Sequence, residues 1–173
     1  MLRKISIVAF AIFILFVSAT IVASKFSSNA EYNVCFMPGG YCQRPIIDII
    51  NNAKSQVLVQ AYGFTDLDIV NALIKAVKRK VEVSVILDKS QENGKALSLL
   101  LLYNIPCFID HKVAIAHNKI IIVDREIVIG GSYNYTKSAA HRNAENVTII
   151  RDAKVAKAFY NNWIARKSQS RTL

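Results

Sequence analysis

Acidic residues are scarce in this chain of 173: 12 aspartates and glutamates stand against 22 lysines and arginines, a formal surplus of +10. That imbalance disfavours basic partners and favours polyanions, either nucleic acid phosphates or an acidic membrane surface. Cysteine and histidine are also few, at three each. Their spacing matches no zinc site, and no other metal set is visible. Internal repeats and low-complexity runs are absent, which excludes repeat arrays and biased linkers. Long apolar loops that could grasp acyl chains are missing after residue 24.

One long apolar run is present. Arg3 and Lys4 precede Ile5 to Ala23, almost wholly apolar, and the small polar stretch Ser27 to Ala30 follows. This is the order of a secretory signal peptide over residues 1–24, with cleavage after Ser24 or after Ala30. The run is also about long enough to cross a bilayer, so an uncleaved anchor is the other reading. Either way the remainder faces away from the cytoplasm, secreted, periplasmic or membrane-anchored. Without Arg3 and Lys4 the surplus is still +8.

Cys35 and Cys42 enclose the turn FMPGGY, which can close a small disulfide loop in an oxidising compartment; two buried thiols are the alternative. Cys107 lies in an apolar strand and reads as a core thiol. Residues 167–173 are polar and basic and are expected to be a disordered tail.

Between these ends strands and helices alternate. Tyr32 to Met37, Gln56 to Tyr62, Val81 to Leu87 and Cys107 to Ile109 read as strands. Helices are expected from Pro45, from Thr65 as cap to near Lys80, over Lys95 to Tyr103 and over Ala153 to Lys167. A short helix over Thr136 to His141 and a strand over Asn146 to Ile150 complete the list. The pattern predicts one α/β domain, residues 32–166, with a mixed sheet flanked by helices on both faces.

The chemistry concentrates in HNKIIIVDREIVIGGSYN, residues 117–134. His117 and Lys119 share a strand face, and Ser132 and Asn134 repeat that spacing. The β-branched runs around Asp124, Arg125 and Glu126 predict a hairpin. A turn at Arg125 and Glu126 sets Lys119 opposite Ser132 and His117 opposite Asn134, although both turn residues then need positive φ. A histidine can attack or move protons near neutral pH, and lysine and asparagine can stabilise anionic oxygens. Together they suit attack on a phosphodiester.

The pattern HxKxxxxDxxxxxxGSxN, met by His117, Lys119, Asp124, Gly131, Ser132 and Asn134, resembles the HKD motif of the phospholipase D superfamily. The single copy is similar to the short bacterial members, Nuc-type endonucleases and small secreted phospholipase D proteins. The resemblance implies the α/β fold already expected and a homodimer that shares one active site at its two-fold. It also implies a covalent phosphohistidine on one His117, with the second His117 as acid and then base. Lys119 and Asn134 would hold the phosphoryl oxygens, and Ser132 would support them. No cofactor is then required. Glu145 matches the glutamate that follows the motif in Nuc-type enzymes and would orient the imidazole; a surface salt bridge is its plainer role. Asp124, at the turn, is too far along the strand to reach the phosphate and is assigned a structural part. His111 and His141 lack the motif and read as solvent-facing or local hydrogen-bonding residues. The expected activity is a non-specific endonuclease on DNA or RNA. The alternative is hydrolysis of phospholipid headgroup esters, and a non-catalytic binder of nucleic acid or membrane is the remote one.

Overall fold

A computed structural model describes residues 25–39 and 41–173. The export segment, residues 1–24, lies outside the described residues. No helix among the described residues is long and apolar enough to cross a membrane.

In chain order the elements are β1 (Glu31–Met37), α1 (Gln43–Asn52), β2 (Gln56–Ala61), α2 (Leu67–Lys78), β3 (Glu82–Asp88), α3 (Lys95–Leu102), β4 (Cys107–Asp110), β5 (Lys119–Val123), β6 (Ile127–Gly131), α4 (Lys137–His141), β7 (Glu145–Arg151), α5 (Ala153–Lys167) and β8 (Arg171–Thr172). The strands form one mixed sheet in the order β1-β7-β6-β5-β2-β3-β4-β8. β2, β3 and β4 run parallel, and the other pairs are antiparallel. Every residue of β2 is buried, as a central strand covered on both faces requires.

On one face Ile46, Ile49 and Ile50 of α1, Val70 and Leu73 of α2 and Leu97 and Leu100 of α3 pack against the sheet. On the other, α5 seats Ala156 and Trp163 on Leu58, Ile86, Phe108, Ile122 and Val128. The Trp163 indole N–H donates to Val59 O at 3.0 Å, so the buried ring keeps its polar atom satisfied. The helix before β3 is capped by Asp66, whose carboxylate accepts from Asp68 N, in place of the expected Thr65. Cys35 and Cys42 are joined as a disulfide. Cys107 is a buried thiol, pushed up to about 12 by burial.

The tail departs from expectation. Residues 167–173 are ordered: α5 runs through Lys167, and Arg171 and Thr172 pair with Ile109 and Phe108. Leu173 N donates to Cys107 O, and Arg171 forms an ion pair with Glu92. An exposed edge of β4 offers unpaired backbone groups, and a polar segment can satisfy them without a core of its own. Composition carries no sign of such pairing.

The hairpin is the second departure. Its turn is centred on Asp124 and Arg125, with φ of 53° and 57°, and Glu126 N donates to Val123 O at 3.0 Å. Pairing of Val123 with Ile127 and Ile121 with Ile129 is one residue out of the expected register. Continued, it sets Lys119 opposite Gly131 rather than Ser132. Asp124 dictates the shift, because its carboxylate accepts from Lys54 N, Ser55 N, Ser55 Oγ and Gln56 N. Arg125 is held over the Tyr160 ring at 4.3 Å.

Candidate active site

The C-terminal ends of the parallel strands collect the residues of the motif. Asp88, the last residue of β3, accepts from Ala116 N at 2.7 Å and from Ser90 N at 2.9 Å, which fixes the backbone just before His117. Burial alone would raise this carboxyl, but those backbone bonds hold it below the usual carboxylate range. After β2, Tyr62 N donates to Asn118 O at 2.8 Å, and the Tyr62 ring meets the exposed His117 imidazole with centroids 4.6 Å apart. Lys119 Nζ lies 5.3 Å from the same ring and donates to His117 O at 2.9 Å. Tyr62 thus forms a shared wall for both residues.

The misregister of the hairpin is offset one residue further on. Ser132 N and Tyr133 N both donate to Asn146 O, at 3.1 and 3.4 Å, so two residues face one and the strand bulges. Gly131 makes this possible: its φ is +138°, and a Cβ there would stand 2.3 Å from Asn146 O. The bulge turns the Ser132 hydroxyl onto Glu145, to which it donates at 2.5 Å while accepting from Asn146 N at 3.0 Å. Asn134 Oδ1 accepts from Gly63 N at 3.3 Å, leaving the amide NH2 without a protein acceptor among the described residues. A side chain on Gly63 would crowd that amide at 3.1 Å. His117, Lys119, Ser132, Asn134 and Glu145 are therefore gathered at one end of the sheet.

Lys119 is 7% exposed. Burial pulls its ammonium below the ordinary lysine range, and the nearby Glu145 carboxylate partly restores it. The expected contact between Glu145 and the imidazole is not made. Glu145 opens β7, two strands from β5, and its oxygens accept from Ser132 Oγ and Asn143 Nδ2. Among the described residues no side chain hydrogen-bonds the His117 imidazole, and no cluster of three or more His, Cys, Asp or Glu could hold a metal. His111 and His141 are exposed, and the His111 ring contacts only the local Ile109 O, as expected.

Tyr62, Gly63 and Asp88 escaped the sequence reading. Only Asp88 carried a signal there, as a polar residue closing an apolar strand, the place where α/β sheets set their binding groups.

A mixed sheet that presents one histidine, lysine and asparagine at the ends of its strands suits attack on a phosphodiester. Residues 46–166 match the family model "Cardiolipin synthase, PLD-like domain". The chain is 42% identical to a phospholipase D of Rickettsia prowazekii over 145 residues, 83% of this chain and 71% of that one. The fold superposes on Nuc of Salmonella typhimurium, a phospholipase D family member, with a TM-score of 0.78 and 33% identity, covering 83% of this chain and 98% of Nuc. NucT of Helicobacter pylori shares the fold at a TM-score of 0.73 and 24% identity, covering 83% of this chain and all of NucT. The protein belongs to the phospholipase D superfamily.

Proposed function

We propose that the protein is a non-specific endonuclease that cleaves DNA or RNA through a phosphohistidine. The observation that carries this reading is the pairing of an exposed, unbonded His117 imidazole with a desolvated Lys119 ammonium on one wall, Tyr62. An unbonded imidazole is free to attack, and a cation held in a partly dry site interacts strongly with phosphoryl oxygens. In the first step a His117 nitrogen bonds to phosphorus and the P–O bond to the leaving group breaks. Lys119 and the Asn134 amide donate to the non-bridging oxygens. The leaving alkoxide needs a proton, and one chain offers no second histidine near the first. A homodimer brings His117 of the partner subunit across the two-fold to supply that proton and then to deprotonate the water that hydrolyses the phosphohistidine.

Glu145 does not orient the imidazole in this scheme. It holds Ser132 and favours the charged form of Lys119 against burial. The likeness to Nuc and the surplus of +8 beyond residue 24 support nucleic acid as substrate. The likeness to phospholipase D of Rickettsia prowazekii supports the second reading, hydrolysis of phospholipid headgroup esters. An export signal with cleavage or retention of residues 1–24 suits either, and the Cys35–Cys42 disulfide suits an oxidising compartment.

Nicking of supercoiled plasmid in excess EDTA tests the proposal. The intact protein converts plasmid to open circles, and His117→Ala, folded by circular dichroism, does not. Release of phosphatidic acid from vesicles with no nicking would transfer the assignment to the lipid. Equal nicking by both proteins would remove His117 from the chemistry.

A further inference from the structure

Beside Glu145 the end of the sheet opens into a cavity that the reaction above does not use. Met37, the last residue of β1, pairs with Glu145. With Tyr41, Gln43 and Arg44 at the start of α1, and Ala140 and His141 of α4, it lines a space of about 280 Å³. The volume is at the small end of ligand sites and open to solvent along the strand ends.

Its walls are of two kinds. Met37 and Ala140 are buried and apolar. Tyr41 is 80% exposed, Arg44 and His141 are exposed, and among the described residues none of the three makes a side-chain hydrogen bond. Tyr41 also holds a φ of 45°, which costs an aromatic L residue free energy. It directly precedes Cys42, which is fully buried and tied to Cys35. The ring is therefore held outward at a backbone cost, with no core packing to offset it. Gln43 is fixed in turn by a 2.5 Å bond from Nε2 to Asp66 Oδ2.

An outward aromatic ring beside an apolar patch, with the Arg44 guanidinium and the His141 imidazole as unpaired donors, matches a nucleotide. The base stacks on the ring, and a phosphate meets the guanidinium and the imidazole donor. Cationic choline or ethanolamine headgroups would be repelled by the same Arg44.

We propose that this cavity is a nucleotide subsite in which Tyr41 stacks a base a nucleotide or two from the scissile bond of a single strand, while Arg44 and His141 contact its phosphate. The assignment deepens the nuclease reading and rests on it for the scissile bond alone.

The test uses the full chain with two substrates, a short single-stranded oligonucleotide and methyl 4-nitrophenyl phosphate, a diester too small to span both places. Tyr41→Ala should lose about tenfold in kcat/KM on the oligonucleotide, carried by KM, and stay within about twofold on the small diester. Tyr41→Phe should restore the loss. Arg44→Gln should reduce the slope of log kcat/KM against log salt on the oligonucleotide by about 0.7. Wild-type rates for Tyr41→Ala on the oligonucleotide, or equal losses on both substrates, would overturn the subsite. Binding of a labelled oligonucleotide to His117→Ala separates the two ideas. Binding weakened by the added Tyr41→Ala sustains the subsite even where the wild type cleaves only lipid, an outcome that sinks the nuclease reading alone. Binding indifferent to Tyr41, with vesicle hydrolysis sensitive to it, would make the cavity a lipid site and overturn the proposal.

Discussion

Lys119 shows how one residue can be tuned by two opposed effects. Its ammonium is nearly out of water, which favours the neutral amine, and the Glu145 carboxylate pulls the other way. Phosphoryl oxygens are bound by the charged form only, so activity should fall on the alkaline side at a lower pH than an exposed lysine would give. Glu145→Gln removes the charge that favours the ammonium but keeps an acceptor for Ser132. Its alkaline limb should therefore move to lower pH, while the acid limb stays in place. A pH profile of kcat/KM for the two proteins measures this directly. An alkaline limb that does not move would show that Glu145 acts on Ser132 alone. Asp124 is the converse case at this scale. Burial would raise its carboxyl, yet three backbone N–H groups and the Ser55 hydroxyl hold it below the usual range. A carboxyl so depressed adds stability above its unfolded value near 3.8, and that contribution is lost as pH falls through the folded value.

At the scale of elements, the β5–β6 hairpin sets the site through two compensating irregularities. The turn at Asp124 and Arg125 shifts the register by one, and the bulge at Gly131 and Ser132 brings the Ser132 hydroxyl back to Glu145. Gly131→Ala places a methyl group against Asn146 O and adds strain from the positive φ. The expected loss is about 3 kcal/mol in urea unfolding, with activity lost even at temperatures where the variant is folded. A variant of normal stability and rate would show that the bulge is dispensable. The motif was legible in the sequence because its six positions are fixed by chemistry, and the alternation of elements followed from apolar periodicity. The register was not. Asp124 accepts bonds from residues about 70 positions earlier, and no local pattern reports a long-range anchor of that kind. Residues 171–172 pair with β4 for the same reason. Glu145 accepts from Ser132, a partner that could not be read from the sequence because the pairing of β6 with β7 appears only once the sheet order is known.

For the whole molecule the decisive feature is a count: the motif supplies one histidine, and the reaction proposed for it needs two. A nucleophile and an acid at opposite ends of the scissile bond cannot both be His117 of one chain, so a two-fold dimer is the economical solution. The dimer has a consequence that oligomeric state alone does not test. When wild type and His117→Ala are denatured together in equal amounts and refolded, chains assort at random, and about a quarter of the dimers carry two intact histidines. If each site needs both copies, specific activity per total chain falls to about a quarter of the wild-type value. If each chain works alone, it falls to about half. A dilution series across several mixing ratios distinguishes a squared dependence on the wild-type fraction from a linear one. A linear dependence from a sample that elutes as a dimer would remove the shared site while leaving His117 as nucleophile, and the acid would then have to be sought within the chain.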